Sequence, residues 1–392
     1  MSIGEDNRTT DKSYDSNSFQ PANIMIAGIT GTGKSTLINA IFGFEGDKGA
    51  KTGTGKPITA QIDEYKDPDI PIRIWDTVGL ELNGEKTRAS IAAIRKTIGD
   101  KTHSGNNLDV IHAIWYCIDS GSSRYQDAEM EFIRELYSFG IPFIIVLTKC
   151  INLPEEIELL EKEIKNENKK NGMGQIEVIQ VLAKDYNTRL GTVEAFGLEE
   201  LVNTTLDRLP EFLKNSFAAA QRVDKLQKRE RSEEIIFDVV EETKKDFSTN
   251  VPIVRYFTTN DKTMKMLKNI GKMYNLIISE EDLERIVTSI DLPNALDGFW
   301  NPFYMKKVNE MLEKKRDLKF KADPRFGFWD KSAQMVAFFG YNFIDTLEEM
   351  WDDYTEKQIR RINEDMVRII RDKMNERLGK YKMYPPGWRP RN

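Results

Sequence analysis

Gly28-Ile-Thr-Gly-Thr-Gly-Lys34-Ser35 is the stretch on which the fold turns. It has the form G-x-x-x-x-G-K-[ST], entered by the apolar run Ile24–Ala27 and left by an amphipathic stretch from Ser35 to Phe42. Glycines at 28, 31 and 33 let the backbone curl so that successive N–H groups converge, and a helix starting there adds its positive end. Such a cradle holds phosphate oxygens. Gly28, Thr30, Gly31, Thr32, Gly33, Lys34, Ser35 and Thr36 are read as nucleotide-binding, with Lys34 reaching the β- and γ-phosphates and the Ser35 hydroxyl binding Mg²⁺. The rival is a structural glycine-rich turn. The strand before and the helix after stand against it.

Working outward, apolar runs recur at Ile70–Trp75, Val110–Ile118, Pro142–Leu147 and Ile176–Leu182. Helix-like segments lie between and after them at Ser90–Ile98, Tyr125–Ser138, Pro154–Asn171 and Leu198–Leu209. Strands alternating with helices predict right-handed crossovers and a mostly parallel sheet covered on both faces. After Pro210 strand-like runs nearly vanish. Helices are expected at Phe212–Glu242, Asp261–Asn275, Ser279–Ile290, Met305–Lys315, Trp329–Asp353 and Glu356–Gly379. The fold class is thus an α/β P-loop nucleotide domain over 21–210 followed by an all-α domain over 211–392, with residues 1–20 a disordered polar leader. Pro-rich Tyr384–Asn392 cannot be helical.

Further elements fit a nucleotide. Asp76-Thr-Val-Gly79 ends a strand, where a carboxylate can hold Mg²⁺ through water and the Gly79 N–H can sense the γ-phosphate. Between it and the phosphate loop, Gly53-Thr-Gly-Lys-Pro-Ile-Thr59 offers Thr59 to complete the Mg²⁺ shell, against an ordinary loop threonine. Thr148-Lys149-Cys150-Ile151 follows a buried strand where a base-reading element belongs. Ala183, in Val181-Leu182-Ala-Lys184, can offer a backbone N–H to the exocyclic oxygen of guanine.

These five elements occur in the order of the G1–G5 boxes. The chain here resembles translation-factor-related GTPases of the Era/septin-like branch, also in Asp76-Thr-Val-Gly-Leu-Glu81, Ile114-Trp-Tyr-Cys-Ile118 and Ser122-Ser-Arg124. Phe217-Ala-Ala-Ala-Gln-Arg-Val223 and Met266–Tyr274 further resemble bacterial GTPases with an appended helical domain of unknown function, often membrane-associated. The resemblance implies GTP and GDP as ligands, Mg²⁺ as cofactor, Lys34, Thr59 and Gly79 in catalysis, and Ser35, Thr59 and Asp76 at the metal. Activation across a G-domain homodimer or by a partner is also implied. In those relatives the appended domain is rather apolar. Here Arg255, Lys262, Lys265, Lys268 and Lys272 stud it, so membrane insertion does not carry over.

Two departures bear on mechanism. The [NT]-K-x-D pattern places a guanine-reading carboxylate where this chain has Ile151, and Asn152 could replace it only after a one-residue shift. Leu80 stands where Ras-like enzymes carry a water-orienting glutamine, so hydrolysis should be slow unless Glu81, Arg88, Arg124 or another molecule positions the water. Two rivals to a GTPase stay open: a nucleotide-gated binding module without turnover, and an ATPase with relaxed base specificity.

Composition bounds the rest. With 57 Lys plus Arg against 63 Asp plus Glu over 392 residues, the net charge of −6 gives no case for nucleic acid. No run nears the ~18 apolar residues of a spanning helix, so no integral membrane role is expected. Cys117 and Cys150 sit in or beside apolar runs, which predicts buried thiols and a cytoplasmic protein. Basic segments at Arg222–Arg231, Lys306–Lys321 and Arg377–Asn392 leave open a peripheral contact with an anionic membrane, against the plainer reading of solvated faces. His112 reads as a core residue and His103 as part of a polar loop.

Overall fold

The computed structural model describes residues 19–44, 62–67, 69–77, 84–103, 109–121, 127–174, 176–188, 191–245, 252–289, 331–356, 359 and 361–380. The expectations placed on the leader to residue 18, Thr59, Gly79, Leu80, Glu81, Arg124, the 305–315 helix and the 384–392 tail lie outside them.

A six-stranded sheet has the order β2-β3-β1-β4-β5-β6. Its strands are β1 (Ala22–Gly28), β2 (Ile62–Asp67), β3 (Ile70–Thr77), β4 (Ala113–Asp119), β5 (Phe143–Thr148) and β6 (Glu177–Gln180). The pairs β1–β3, β1–β4, β4–β5 and β5–β6 are parallel. Every residue of β1 and β5 is buried, as expected for parallel strands covered on both faces. On one face Met25, Ala27, Tyr116 and Phe143 pack with Ile94 and Ile98 of α2 (Gly84–His103), Phe132 and Leu136 of α3 (Asp127–Tyr137), and Ile157 and Ile164 of α4 (Pro154–Lys170). On the other, Trp115 donates its indole N–H to Thr205 Oγ1 at 3.1 Å, on α5 (Leu198–Arg208), and meets Phe217 edge-on at 6.2 Å.

Two elements escape the hydrophobic pattern. Ile62-Asp-Glu-Tyr-Lys-Asp67 is mostly charged because β2 is an edge strand with little to bury. A second sheet, the exposed hairpin of β7 (Tyr186–Thr188) and β8 (Gly191–Val193), has strands of three residues, too short for alternation to register. His103 closes α2 rather than lying in a loop, since that helix outruns its apolar stretch. His112 is a buried core residue that accepts the Asn23 N–H at Nδ1 over 2.9 Å.

The chain divides into two compact units, one taking residues to 36, 51–66 and 71–217, the other 37–50, 67–70 and 218–392. The second is helical over its C-terminal part. Its helices are α7 (Lys225–Lys245), α8 (Pro252–Met273), α9 (Glu280–Thr288), α10 (Lys331–Glu356) and α11 (Glu364–Lys380), preceded by the end of α6 (Glu211–Ala220). Helices α7, α8 and α10 pack on one another, with α9 against α8 and α11 against α10. Gly340 on α10 allows the close approach: a Cβ there would sit 2.5 Å from Ile236 Cγ1 on α7.

One continuous helix over Phe212–Glu242 is not what forms. The chain breaks at Gln221–Asp224 because the buried Gln221 side chain wraps the backbone. Its Oε1 accepts from Val223 N (2.7 Å) and Asp224 N (2.8 Å), and its Nε2 donates to Asp224 O (2.9 Å). Asp224 then caps α7, accepting from Gln227 N at 3.0 Å. Beyond it Lys228 is wholly buried. Its ammonium donates to Ala218 O, Ala219 O and Met273 O at 2.9, 2.7 and 2.7 Å, with the Trp351 ring 5.2 Å away.

Candidate nucleotide site at the strand ends

Parallel register brings the pieces together. Ile26 lies beside Asp76, Gly28 beside Cys117, and Asp119 beside Thr148, so β1, β3, β4 and β5 present their carboxyl ends along one rim. Sites in open parallel sheets form there.

Gly28 leaves β1 with φ +145°, and a Cβ would stand 2.4 Å from Cys117 O, so only glycine fits. Gly31 and Gly33 have φ +88° and +87°, a backbone conformation that glycine adopts without strain and that suits an anion-binding loop. Thr30 and Gly31 are exposed at the tip of the loop. Thr32 is buried, its hydroxyl donating to Ile29 O at 2.9 Å. Lys34 opens α1 (Lys34–Phe42), and Ser35 and Thr36 follow half-buried in its first turn. The Lys34 ammonium donates to Gly28 O (2.9 Å) and Ile29 O (3.1 Å). Burial pulls its pKa down, while the Asp76 charge acts the other way.

Asp76 ends β3 buried, and burial raises its carboxyl to about 6 although the Lys34 charge opposes the shift. Among the described residues its Oδ1 has no hydrogen-bond partner, nor has the neighbouring Thr77 Oγ1. A buried carboxylate oxygen without a donor fits a cation or its bound water. Among the described residues no three His, Cys, Asp or Glu cluster to hold a metal by themselves. A lone carboxylate with hydroxyls nearby is a set that a hard cation can share with phosphate and water.

The base-side element is laced to the phosphate loop. Thr148 Oγ1 lies within hydrogen-bond reach of Thr32 O and Ile118 O. A Cβ on Gly33 would lie 3.8 Å from both Thr148 Cβ and Lys149 Cε. Lys149 takes φ +54°, strained for a lysine, and three contacts hold it. Its Nζ pairs with Asp119 Oδ2 at 2.7 Å, while its carbonyl accepts Ser120 Oγ at 2.9 Å and Ile151 N at 2.7 Å. Asp119 and Ser120 were not singled out in the sequence. Their only local signal is Asp-Ser-Gly after a strand, a turn in which Asp119 Oδ1 accepts Gly121 N at 2.9 Å. Ala183 follows β6, half-buried. Arg88 is exposed on α2, lining a groove with Ile91, Arg95, Arg134 and Glu135.

Residues 23–149 match the family model described as 50S ribosome-binding GTPase. Interferon-gamma-inducible GTPase 10 of Mus musculus is 21% identical over 331 residues, covering 75% of this chain and 72% of that protein. Among solved structures, a bacterial selenocysteine-specific elongation factor EF-Sec matches at 23% identity and TM-score 0.32, over 48% of this chain and 28% of that one. Era of Aquifex aeolicus, bound to GDP·AlF4⁻, matches at 21% identity and TM-score 0.32, over 49% and 57%. The chain thus spans less than two thirds of either of these solved chains. The family match covers the phosphate loop, Asp76 and Thr148–Lys149, the residues that meet at the rim, so over residues 23–149 the chain is similar to the 50S ribosome-binding GTPases.

Proposed function

We propose that the protein is a Mg²⁺-dependent guanine-nucleotide switch that hydrolyses GTP to GDP and phosphate, with slow intrinsic turnover, and controls its helical part or a partner. The observation that carries this reading is the buried oxygen of Asp76, without a hydrogen-bond partner among the described residues, beside a formed phosphate loop. In this reading 21–210 is the G domain, 211–392 the helical domain, and the chain works in the cytoplasm.

The loop amides and Lys34 bind the phosphates and stabilise charge as water attacks the γ-phosphate in line. Lys34 would exchange the Gly28 and Ile29 carbonyls for phosphate oxygens. Ser35, Asp76 and Thr59 would hold Mg²⁺, which neutralises phosphate charge when bound. Gly79 would sense the γ-phosphate. Leu80 cannot orient the water, which is why turnover should be slow until a second copy through the G domain or a partner supplies a group. For contact with an anionic membrane, Arg222–Arg231 offers less free charge than its sequence suggests. There Lys228 is buried, Lys225 pairs with Asp352, Arg229 with Asp345 and Glu348, and Arg231 with Glu234.

The test is GTP and ATP binding with Mg²⁺, then phosphate release at increasing protein concentration, for the wild type and Lys34→Ala. We expect the wild type to bind GTP and release phosphate slowly. Lys34→Ala should bind ~10- to 100-fold more weakly, the loss of one charge-assisted contact. Release per molecule rising with concentration would support activation by pairing. Binding without release at any concentration would leave a binding module and sink the enzyme.

A further inference from the structure

We infer that the base pocket accepts 6-oxopurines without distinguishing guanine from hypoxanthine, an inference that rests on the nucleotide-switch reading above, in which the Ala183 amide meets the O6 edge. Guanine differs from hypoxanthine only by its 2-amine, and a carboxylate accepting from N1–H and that amine is what separates them. Ile151 stands at the position of that carboxylate, 37% exposed and without an acceptor in its side chain.

Asn152 cannot move into its place, because the register is locked on both sides. Cys150 is buried, its N–H donates to Val181 O at 3.3 Å and its thiol to Leu147 O at 3.3 Å. Lys149 is held by Asp119 and Ser120. A shift by one residue would bury the larger Ile151 in the Cys150 site and place the Cys150 side chain where Lys149 pairs. Nearby carboxylates are also engaged: Asp119 with Lys149 Nζ and Gly121 N, Asp185 with Ala195 N at 2.8 Å, and Glu161 with Lys165 and Gln180.

The carbonyl edge of the base is a different matter. Val181 uses both its backbone groups, donating to Leu147 O and accepting from Cys150 N, and Leu182 exchanges both with Phe196. Ala183 is the next residue, and among the described residues its N–H has no partner. That donor suits O6, which guanine and hypoxanthine share. The 6-amine of adenine would oppose a donor to a donor and leave both unpaired.

Equilibrium binding of GTP, ITP and ATP with Mg²⁺ to the full chain, wild type and Ile151→Asp, tests this. In the wild type GTP and ITP should bind within about threefold of each other, and ATP at least about tenfold more weakly. The exposed position lets Ile151→Asp fold, and it should raise the GTP-over-ITP ratio by about tenfold, one added charge-assisted contact. A wild-type preference for GTP over ITP beyond about tenfold, ATP binding as tight as ITP, or an unchanged ratio in Ile151→Asp would each overturn the inference while leaving the switch intact. No binding of any nucleotide would overturn both.

Discussion

Asp76 is where burial and the proposed metal role pull against each other. Its carboxyl titrates near 6 in the fold against 3.8 in an open chain, so between those values the folded state holds the extra proton. The contribution of this group to stability is full below the lower value and is lost as pH rises through the higher one. Metal binding runs oppositely, because only the carboxylate serves Mg²⁺. Mg²⁺-dependent nucleotide affinity should therefore fall on acidification below about 6, by up to about tenfold per pH unit. Asp76→Asn should bind with little help from Mg²⁺ and without that slope. Affinities measured from pH 5 to 8 with and without the metal check both; a wild-type affinity flat across pH 6 would remove Asp76 from the metal shell. At this scale the phosphate loop was legible because its residues are contiguous. Asp119 was not, since its role depends on β4 lying next to β5, thirty positions from Lys149 along the chain.

Among the elements, periodicity located the buried strands and amphipathic helices, whose apolar faces are long enough to show. It failed where burial is slight, as at β2, and where a polar side chain overrides propensity. The junction of α6 and α7 is the clearest case: Phe212–Glu242 has helical spacing throughout, yet Gln221 satisfies three backbone groups that a continuous helix would otherwise pair. Gln221→Ala should strip those bonds from a buried turn and destabilise the protein by about 1–3 kcal/mol. Urea melts followed by circular dichroism measure it. An unchanged midpoint would mean that the break is imposed by packing rather than by this side chain.

For the molecule as a whole, alternation of strand and helix followed by helix alone was enough to announce an α/β portion and a helical portion. The internal support of the helical unit was hidden, because nothing in Arg222–Arg231 marks Lys228 as different from its basic neighbours. It is the one whose Nζ meets three carbonyls at the ends of α6 and α8; burial lowers its pKa, but three acceptors at two negative helix ends favour the ammonium. A neutral amine has only two protons to offer. Lys228→Ala should therefore leave three acceptors and a void, destabilising the protein by at least about 3 kcal/mol. Lys225→Ala, whose pair with Asp352 is solvent-exposed, should change it by less than about 1 kcal/mol. Comparing their thermal melts separates a keystone from a surface charge, and similar losses would refute the distinction.

The burial of Cys117 and Cys150 has a chemical consequence. Both thiols lie against the rim, one beneath the phosphate loop and one beneath the base-side loop, and burial raises both, Cys117 to about 12. The thiolate is the species that peroxide and electrophiles attack, and at neutral pH the folded chain presents almost none. Oxidative damage to this site must then wait for the fold to open, so any ligand that stabilises the folded state also shields its sulfur.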